Sequence, residues 1–321
     1  MKSLNLYTWI TRRSFRKLGE KSPTFPGTLL STNTLLNRLP ISDTVLDQIR
    51  MKISEIVRLK YRNFDPAKTL FKRIQIQTQT GCNLSCPFCP CNKKGVELPK
   101  GKMQISLFMK IMEELAVLRF HGVIHLYLQN EPLLDHRLEK FIKVSKKLCP
   151  EASIVIETNG TLLNPERLRS LVDSGIDIVY VNNYIPNRPN YSGTYNHQDD
   201  ILQRLEPMER DFWYIKHLIV NQKPWDVDLT NRAGNVPWSQ IPDSPITAFC
   251  LRPYDQIYIG YDGRVILCCQ DWKFEEVMGN VSQQSLWEIW NNVKYCNVRR
   301  MLFQRSRNRF VCKKCDFQGW P

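Results

Sequence analysis

Cys82, Cys86 and Cys89 stand in a C-x3-C-x2-C array within Gly81-Cys82-Asn83-Leu84-Ser85-Cys86-Pro87-Phe88-Cys89-Pro90, directly after the alternating run Arg73-Ile74-Gln75-Ile76-Gln77-Thr78. Thiolates hold cubane iron–sulfur clusters, and short spacings let one loop wrap such a cluster. Zinc sites and ordinary ferredoxin clusters take four protein ligands. The local set stops at three, which leaves one metal position open to another ligand. A second set lies further on: Cys250, Cys268, Cys269, Cys296, Cys312 and Cys315. Of these, Cys250, Cys268, Cys312 and Cys315 supply four thiolates, enough to saturate a cubane. A four-cysteine zinc ribbon is the alternative, but ribbons usually bring two C-x2-C knuckles and this set has one, Cys312-Lys313-Lys314-Cys315. Cys91, Cys149 and Cys296 read as buried apolar side chains.

These residues need elements to hold them. An amphipathic helix is expected around Val45–Tyr61, and from Phe71 onward strands and helices alternate. Strand Arg73–Gln79 is followed by helix Gln104–Leu118, strand Ile124–Gln129, helix Arg137–Leu148, strand Ser153–Thr158, helix Pro165–Ser174 and strand Asp177–Asn182, with a further helix–strand pair through Val220. Asn164 suits the N-cap, Pro165 the first turn and Gly175 the C-terminal stop of the helix between them. Repeated strand–helix units imply a parallel sheet with right-handed crossovers, closed or partly closed into a barrel. In such barrels chemistry gathers at the C-terminal strand ends, which is where the first cysteine loop falls. Beyond a Pro-rich connector, Gln256–Leu267 reads as a hairpin turning at Asp262-Gly263, followed by one helix over Ser285–Phe303. The expected domains are a basic, mainly helical extension over 1–70, a barrel over 71–235 and a second cysteine domain over 236–321.

The first array resembles the signature of the radical S-adenosylmethionine (SAM) superfamily, an aromatic residue before the third cysteine, here Phe88, included. The resemblance implies a 4Fe–4S cluster on Cys82, Cys86 and Cys89 whose open iron chelates SAM. Gln129-Asn130-Glu131-Pro132 occupies the place of the superfamily's Gly-Gly-Glu motif, with Asn130 where glycine is usual and Glu131 accepting from the SAM amino group. Glu157-Thr158-Asn159-Gly160 resembles the segment near the SAM ribose, which brings Thr158 and Asn159 to the cofactor. The second cysteine set, with Gly279-Asn280-Val281 and the Ser285–Trp290 helix start, resembles the SPASM/twitch extension and implies a second 4Fe–4S cluster on Cys250, Cys268, Cys312 and Cys315. The implied fold is an α/β partial (β/α)6 TIM-type barrel with a twitch/SPASM-like domain.

The implied chemistry is reductive cleavage of SAM to a 5′-deoxyadenosyl radical and abstraction of hydrogen from a C–H bond. Arg232-Ala233-Gly234 is similar to segments of one-cluster enzymes acting on sugars or aminocyclitols, which places Arg232 on a substrate hydroxyl. Cys269 should face away from Cys268 on a strand, where it either packs or returns hydrogen to a substrate radical. The expected partners are a sugar- or aminocyclitol-like small molecule, or a ribosomally made peptide, and a flavodoxin- or ferredoxin-type reductant. A non-catalytic iron–sulfur or zinc scaffold is a rival of another class; the SAM-like motifs at three strand ends speak against it.

Composition sets the outer limits. The chain has 321 residues, eleven cysteines and a net charge of +14. Fifteen Lys/Arg against five Asp/Glu in residues 1–73 place +10 of that charge ahead of the first cysteine. Such a segment can meet acidic partners, yet nothing matches a nucleic-acid-binding motif. No run approaches the length of a membrane span, and cysteines gathered at C-x2-C spacing point to metal in a reducing compartment. Cytoplasmic residence is expected.

Overall fold

The computed structural model describes residues 43–86, 88–91, 97–185, 218–224, 230–236 and 241–317. The expected helical character of the segment before residue 43, and the helix expected ahead of Val220, lie outside these residues. The frame is one eight-stranded sheet in the order β5-β4-β3-β2-β1-β6-β7-β8. Its strands are β1 (Arg73–Ile76), β2 (Val123–His125), β3 (Ser153–Thr158), β4 (Ile178–Ile185), β5 (Leu218–Pro224), β6 (Gln256–Ile259), β7 (Arg264–Ile266) and β8 (Val277–Asn280). Strands β1 to β5 are parallel neighbours in chain order. β6 then pairs in parallel with the free side of β1, in the register Arg73↔Gln256 to Ile76↔Ile259. β7 and β8 close the sheet as an antiparallel meander. The hairpin is therefore no separate module: it extends the barrel sheet from the edge where β1 stands.

Helix α1 spans Asp43–Lys60, α2 Ile105–Val117, α3 Leu138–Leu148 and α4 Pro165–Asp173. The apolar stripes of α2 (Phe108, Ile111, Met112, Leu115) and α3 (Leu138, Phe141, Ile142) are buried, as the spacing of an amphipathic helix demands. They meet at Phe108 and Phe141, with ring centroids 4.3 Å apart. α4 starts where its cap residues say: Asn164 accepts from the Arg167 backbone N–H at 2.7 Å, and Gly175 takes φ 97° beyond its end.

The C-terminal half holds α5 (Arg252–Asp255), α6 (Leu286–Asn291), α7 (Val293–Phe303) and α8 (Phe310–Lys313). The single helix expected over Ser285–Phe303 is two. Ser285 and Glu288 form a capping box for α6, and the Asn292 side chain, accepting from the Tyr295 N–H at 2.9 Å, starts α7 afresh. The apolar periodicity runs on through the break, which is why it reads as continuous.

Helix α1 belongs to the packing of this half. Tyr61 and Phe64, just past its end, form edge-on contacts with Tyr254, and Tyr61 lies against Phe249. Ser54 Oγ accepts from the Phe249 N–H at 2.9 Å, and Trp290 Nε1 donates to the Thr69 carbonyl at 2.8 Å. Aromatic pairs of this kind add about 0.5–1.5 kcal/mol each beyond their burial. The helix thus buttresses the chain immediately ahead of Cys250.

Candidate active site

The first cysteine loop leaves the C-terminal end of β1 and is fixed at its root by one arginine. Arg137 grips Asp135 with two parallel bonds, Nε to Oδ1 and Nη2 to Oδ2, each 2.8 Å. The same guanidinium donates to the Met103 carbonyl at 2.8 Å and the Thr78 carbonyl at 3.0 Å. Asp135 is buried, which raises its carboxyl pKa, but the Arg137 bonds outweigh that and hold it below its ordinary value. This forked geometry is one lysine cannot reproduce.

Beyond the root, Gly81 takes φ 96°, and its carbonyl accepts from the Glu131 N–H at 2.9 Å. The loop is thereby bridged to the segment that follows β2. Its crown is stitched to the end of β3. Asn159 Nδ2 donates to Asn83 Oδ1 at 2.9 Å and lies 3.6 Å from Cys82 Sγ, while Asn83 Nδ2 donates to Thr161 Oγ1 at 2.7 Å. The Leu84 N–H donates to Cys82 Sγ at 3.4 Å, and the Cys89 N–H to the Cys86 carbonyl at 3.1 Å. Burial pushes the Cys82 thiol to about 11, with the charges of Glu131, Cys86 and Cys89 adding to the rise. Those four acidic groups therefore share one site, with Phe88 buried beside them.

Glu131 is 2 % exposed and well supplied with donors. Its Oε1 accepts from the Leu133 N–H at 3.0 Å and Thr158 Oγ1 at 2.6 Å, and its Oε2 from the Asn159 N–H at 2.8 Å. Burial still raises its pKa over what these bonds lower. Glu131, Thr158 and Asn159 are thus brought together as expected, through contacts among themselves, and Oε2 keeps capacity for a further donor. Asn130, bridged to Gly81 in the cysteine loop, keeps a buried Nδ2 donor without a hydrogen-bond partner. SAM's ammonium suits the remaining capacity of Glu131 Oε2 and its carboxylate the free Asn130 Nδ2 donor.

The second cysteine set gathers around the β6–β7 hairpin. Cys268 and Cys315 share an apolar cluster with Leu128, Ala233, Tyr258, Ile266, Phe274 and Val311. Cys312 is pushed up to about 12 by burial and by the charges of Cys250 and Cys315. Cys268 feels Cys269, Cys312 and Cys315 in the same way.

Cys269 does not sit on a strand. β7 ends at Ile266, and Cys268-Cys269 occupy the turn beyond it, so strand alternation no longer separates them. Gln129 Nε2 donates to the Cys269 carbonyl at 3.0 Å and so ties the end of β2 to this turn.

Arg232, Ala233 and Gly234 form a left-handed turn with φ 52°, 54° and 75°. Two of the three carry a Cβ, and each such residue in this region costs about 1–2 kcal/mol. The surroundings hold the turn in place. The Asn231 N–H donates to Asp316 Oδ2 at 2.7 Å, Asn231 Nδ2 to the Lys314 carbonyl at 2.6 Å, and Asn235 Nδ2 to the Arg232 carbonyl at 2.7 Å. Arg232 is therefore fixed beside the Cys312–Cys315 knuckle, and its Nε is buried with no partner.

Sequence reasoning passed over Gln77, Asn83, Gln129, Arg137 and Thr161. Asn83 stands inside the cysteine loop and Asp135-x-Arg137 has the spacing of a local ion pair. Gln129 opens the quartet in the Gly-Gly-Glu place but takes no role of its own from the resemblance, and Gln77 and Thr161 carry no local signal.

Residues 76–205 match the family described as the Radical SAM superfamily, and residues 250–316 match SPASM, an iron–sulfur cluster-binding domain. The chain is 29 % identical over 251 residues, 77 % of its length and 93 % of the relative's, to the S-adenosyl-L-methionine-dependent 2-deoxy-scyllo-inosamine dehydrogenase of Niallia circulans. The crystal structure of BtrN in complex with AdoMet and 2-DOIA superimposes with a TM-score of 0.66 at 27 % identity, covering 78 % of this chain and 94 % of that one. BtrN in an open conformation gives 0.57 at 25 %, with the same coverage. The fold class and the two cofactor types expected from the cysteines follow: SAM with a 4Fe–4S cluster, and a further cluster in the SPASM region. With both domains present in order on one sheet, this chain belongs to the radical SAM superfamily and is an enzyme of its SPASM-bearing branch.

Proposed function

We propose that the protein dehydrogenates a hydroxyl-bearing carbon of an aminocyclitol- or sugar-like small molecule. The observation that carries this reading is the left-handed Arg232-Ala233-Gly234 turn, which presents a half-buried guanidinium with an unpartnered Nε beside the second cysteine set. The relative's aminocyclitol dehydrogenase activity supports the same substrate class.

In this reading Cys82, Cys86 and Cys89 hold the first cluster, and Cys250, Cys268, Cys312 and Cys315 hold the second. When bound, SAM and the clusters supply the radical that takes a hydrogen atom from carbon and the acceptor for the second electron, chemistry no side chain performs. Glu131, Asn130, Phe88, Thr158 and Asn159 shape the SAM pocket. Arg232 donates hydrogen bonds to the reacting hydroxyl and stabilises negative charge as it develops on that oxygen. It cannot act as a base. Cys269, packed against the apolar cluster that contains Cys268 and Cys315, serves packing, and oxidation needs no hydrogen returned. Residues 71–235 form the SAM-binding part and residues 236–321 the second-cluster part, sharing the sheet. A flavodoxin- or ferredoxin-type protein provides the first electron, and the reaction runs in the cytoplasm; none of the described helices is long and apolar enough to cross a membrane.

The test is anaerobic incubation with SAM, a reductant and a panel of aminocyclitols, with product and 5′-deoxyadenosine followed by mass spectrometry. A product two mass units lighter is expected. Arg232→Ala should keep its iron and still cleave SAM, but lose about 10²–10³ in product formation, the usual cost of one such donor. Arg232→Lys should not restore it. Near-normal turnover in Arg232→Ala, or oxidation of a peptide and of no aminocyclitol, would overturn the reading.

A further inference from the structure

Arg307 lies between α7 and α8 and is 2 % exposed. Two of its three nitrogens are spent on backbone. Nε donates to the Ala248 carbonyl at 2.9 Å, and Nη1 to the Phe317 carbonyl at 2.7 Å. Ala248 lies two residues before Cys250, and Phe317 two residues after Cys315. The guanidinium therefore spans the two segments that carry the first and last thiols of the second set. Its Nη2 is buried and has no hydrogen-bond partner.

A buried, unpaired guanidinium nitrogen is costly, so its surroundings decide what it is for. Arg307 Nη1 holds the carbonyl of Phe317, the residue whose own N–H donates to Cys315 Sγ at 3.4 Å. Buried Arg299 also has a free Nη2, but its guanidinium lies 4.0 Å over the Trp290 ring, whose face takes up the charge. Arg307 is instead tied to the chain on either side of the second thiol set, through the Ala248 and Phe317 carbonyls. A second cation, Arg252, stacks 3.8 Å over the Phe317 ring. Two arginines are thus held through one residue, Phe317.

We propose that Arg307 donates an N–H···S hydrogen bond from Nη2 to the sulfur of the second cluster and, by favouring the more negative reduced state, raises that cluster's reduction potential into the range of an electron acceptor. The inference rests on Cys250, Cys268, Cys312 and Cys315 being the ligands. Hydrogen bonds to the sulfurs and local net charge are the protein's main means of setting such potentials. Only one electron moves in the process: the oxidised cluster gains it, and no bond to Arg307 forms or breaks.

The experiment is an EPR-monitored redox titration of the reconstituted full-length holoenzyme. A full-length Cys82/Cys86/Cys89→Ala chain identifies which signal belongs to the second cluster. Arg307→Gln should lower the midpoint of that signal by at least 59 mV, a tenfold change in the oxidised-to-reduced ratio for one electron, while iron content stays at the wild-type value. An unchanged midpoint in the fully loaded variant overturns the proposal and leaves Arg307 a backbone staple. Should Arg307→Gln fail to load iron, wild-type holoenzyme carrying 15N-arginine decides the matter. The reduced second-cluster signal should then show a 15N hyperfine coupling that persists in Arg252→Lys. Absence of the coupling in the wild type, or its loss in Arg252→Lys, overturns the proposal. If Cys250/Cys268/Cys312/Cys315→Ala keeps all its iron, the ligand assignment itself has failed, an outcome visible before any titration.

Discussion

Glu131 offers the sharpest test of how the SAM pocket is built. Resemblance alone makes this carboxylate a contact for the SAM amino group. The structure gives it three donors from the chain itself: the Leu133 N–H, Thr158 Oγ1 and the Asn159 N–H. Glu131→Gln keeps the shape and replaces one acceptor oxygen by an NH2 donor. The amide oxygen can still serve two of the three donors. The third loses a hydrogen bond to a charged group, worth about 1.5–3 kcal/mol, and is left facing a donor, a further penalty of about 1–3 kcal/mol for a buried unsatisfied group. Removing a buried charge returns part of this through easier desolvation. The net cost is about 2–4 kcal/mol, and it falls on the ends of β2 and β3 before SAM binds.

The assay is amide hydrogen exchange on the SAM-free protein, because local opening is read at the amides concerned. At ~1.4 kcal/mol per factor of ten, Leu133 and Asn159 should exchange about 30- to 1000-fold faster in Glu131→Gln, with SAM affinity lowered as a consequence. If both amides keep wild-type protection while SAM affinity falls, Glu131 acts on SAM alone, and the argument that it organises the pocket is refuted.

Three further outcomes are expected. Arg137→Lys, unable to hold Asp135 and two carbonyls at once, should lose much of the first cluster while keeping the second, read as iron content falling towards half with the second-cluster EPR signal intact. Cys82/Cys86/Cys89→Ala should keep about half the iron and form no 5′-deoxyadenosine, whereas Cys312→Ala should still cleave SAM. The Glu55 carboxyl is held at about 2, against an ordinary 4.5, first by its hydrogen bond from Arg58 and then by that from Arg305. A lowered carboxylate pKa stabilises the fold above its unfolded value and loses that contribution as pH falls from about 4.5 towards 2, so docking of α1 on the C-terminal half should weaken over that window. Acid titration of the wild type beside Glu55→Gln, which should lack this part of the pH dependence, measures it.

How much of this was legible in the residues depends on the range of the interaction. Local signals carried through: the strand–helix order from β1 to β4, the Asn164 cap and the Gly263 turn with φ 85°. Each is written within a few residues by periodicity, cap chemistry or turn chemistry. The break at Asn292 was available as Asn before a new helical run, but the apolar stripe on either side hid it. What the sequence could not give was pairing between distant segments. Nothing in Gln256–Ile259 says that it will lie beside β1, since a short, fully buried strand reads the same against any neighbour. Arg307 and Gln129 matter only because the fold brings carbonyls and thiols to them from remote positions.

That one unforeseen pairing also fixes the geometry of the chemistry. β1 runs directly into the Cys82 loop, while β6 is preceded by Cys250 and followed through β7 by Cys268. Because β6 is hydrogen-bonded along β1 over four residue pairs, the Cys82 loop and the segments bearing Cys250 and Cys268 are carried by one sheet. The Gln129–Cys269 bond adds a second tie, from the end of β2 to the Cys268-Cys269 turn. A linker between independent modules would let the distance between two redox centres drift, whereas a shared parallel ladder cannot shift without breaking several backbone bonds together. In the reaction proposed above, which abstracts hydrogen with the help of one cluster and passes an electron to the other, a constant distance between them serves turnover. In this chain the ladder, with α1 packed behind the segment that enters Cys250, is what keeps it so.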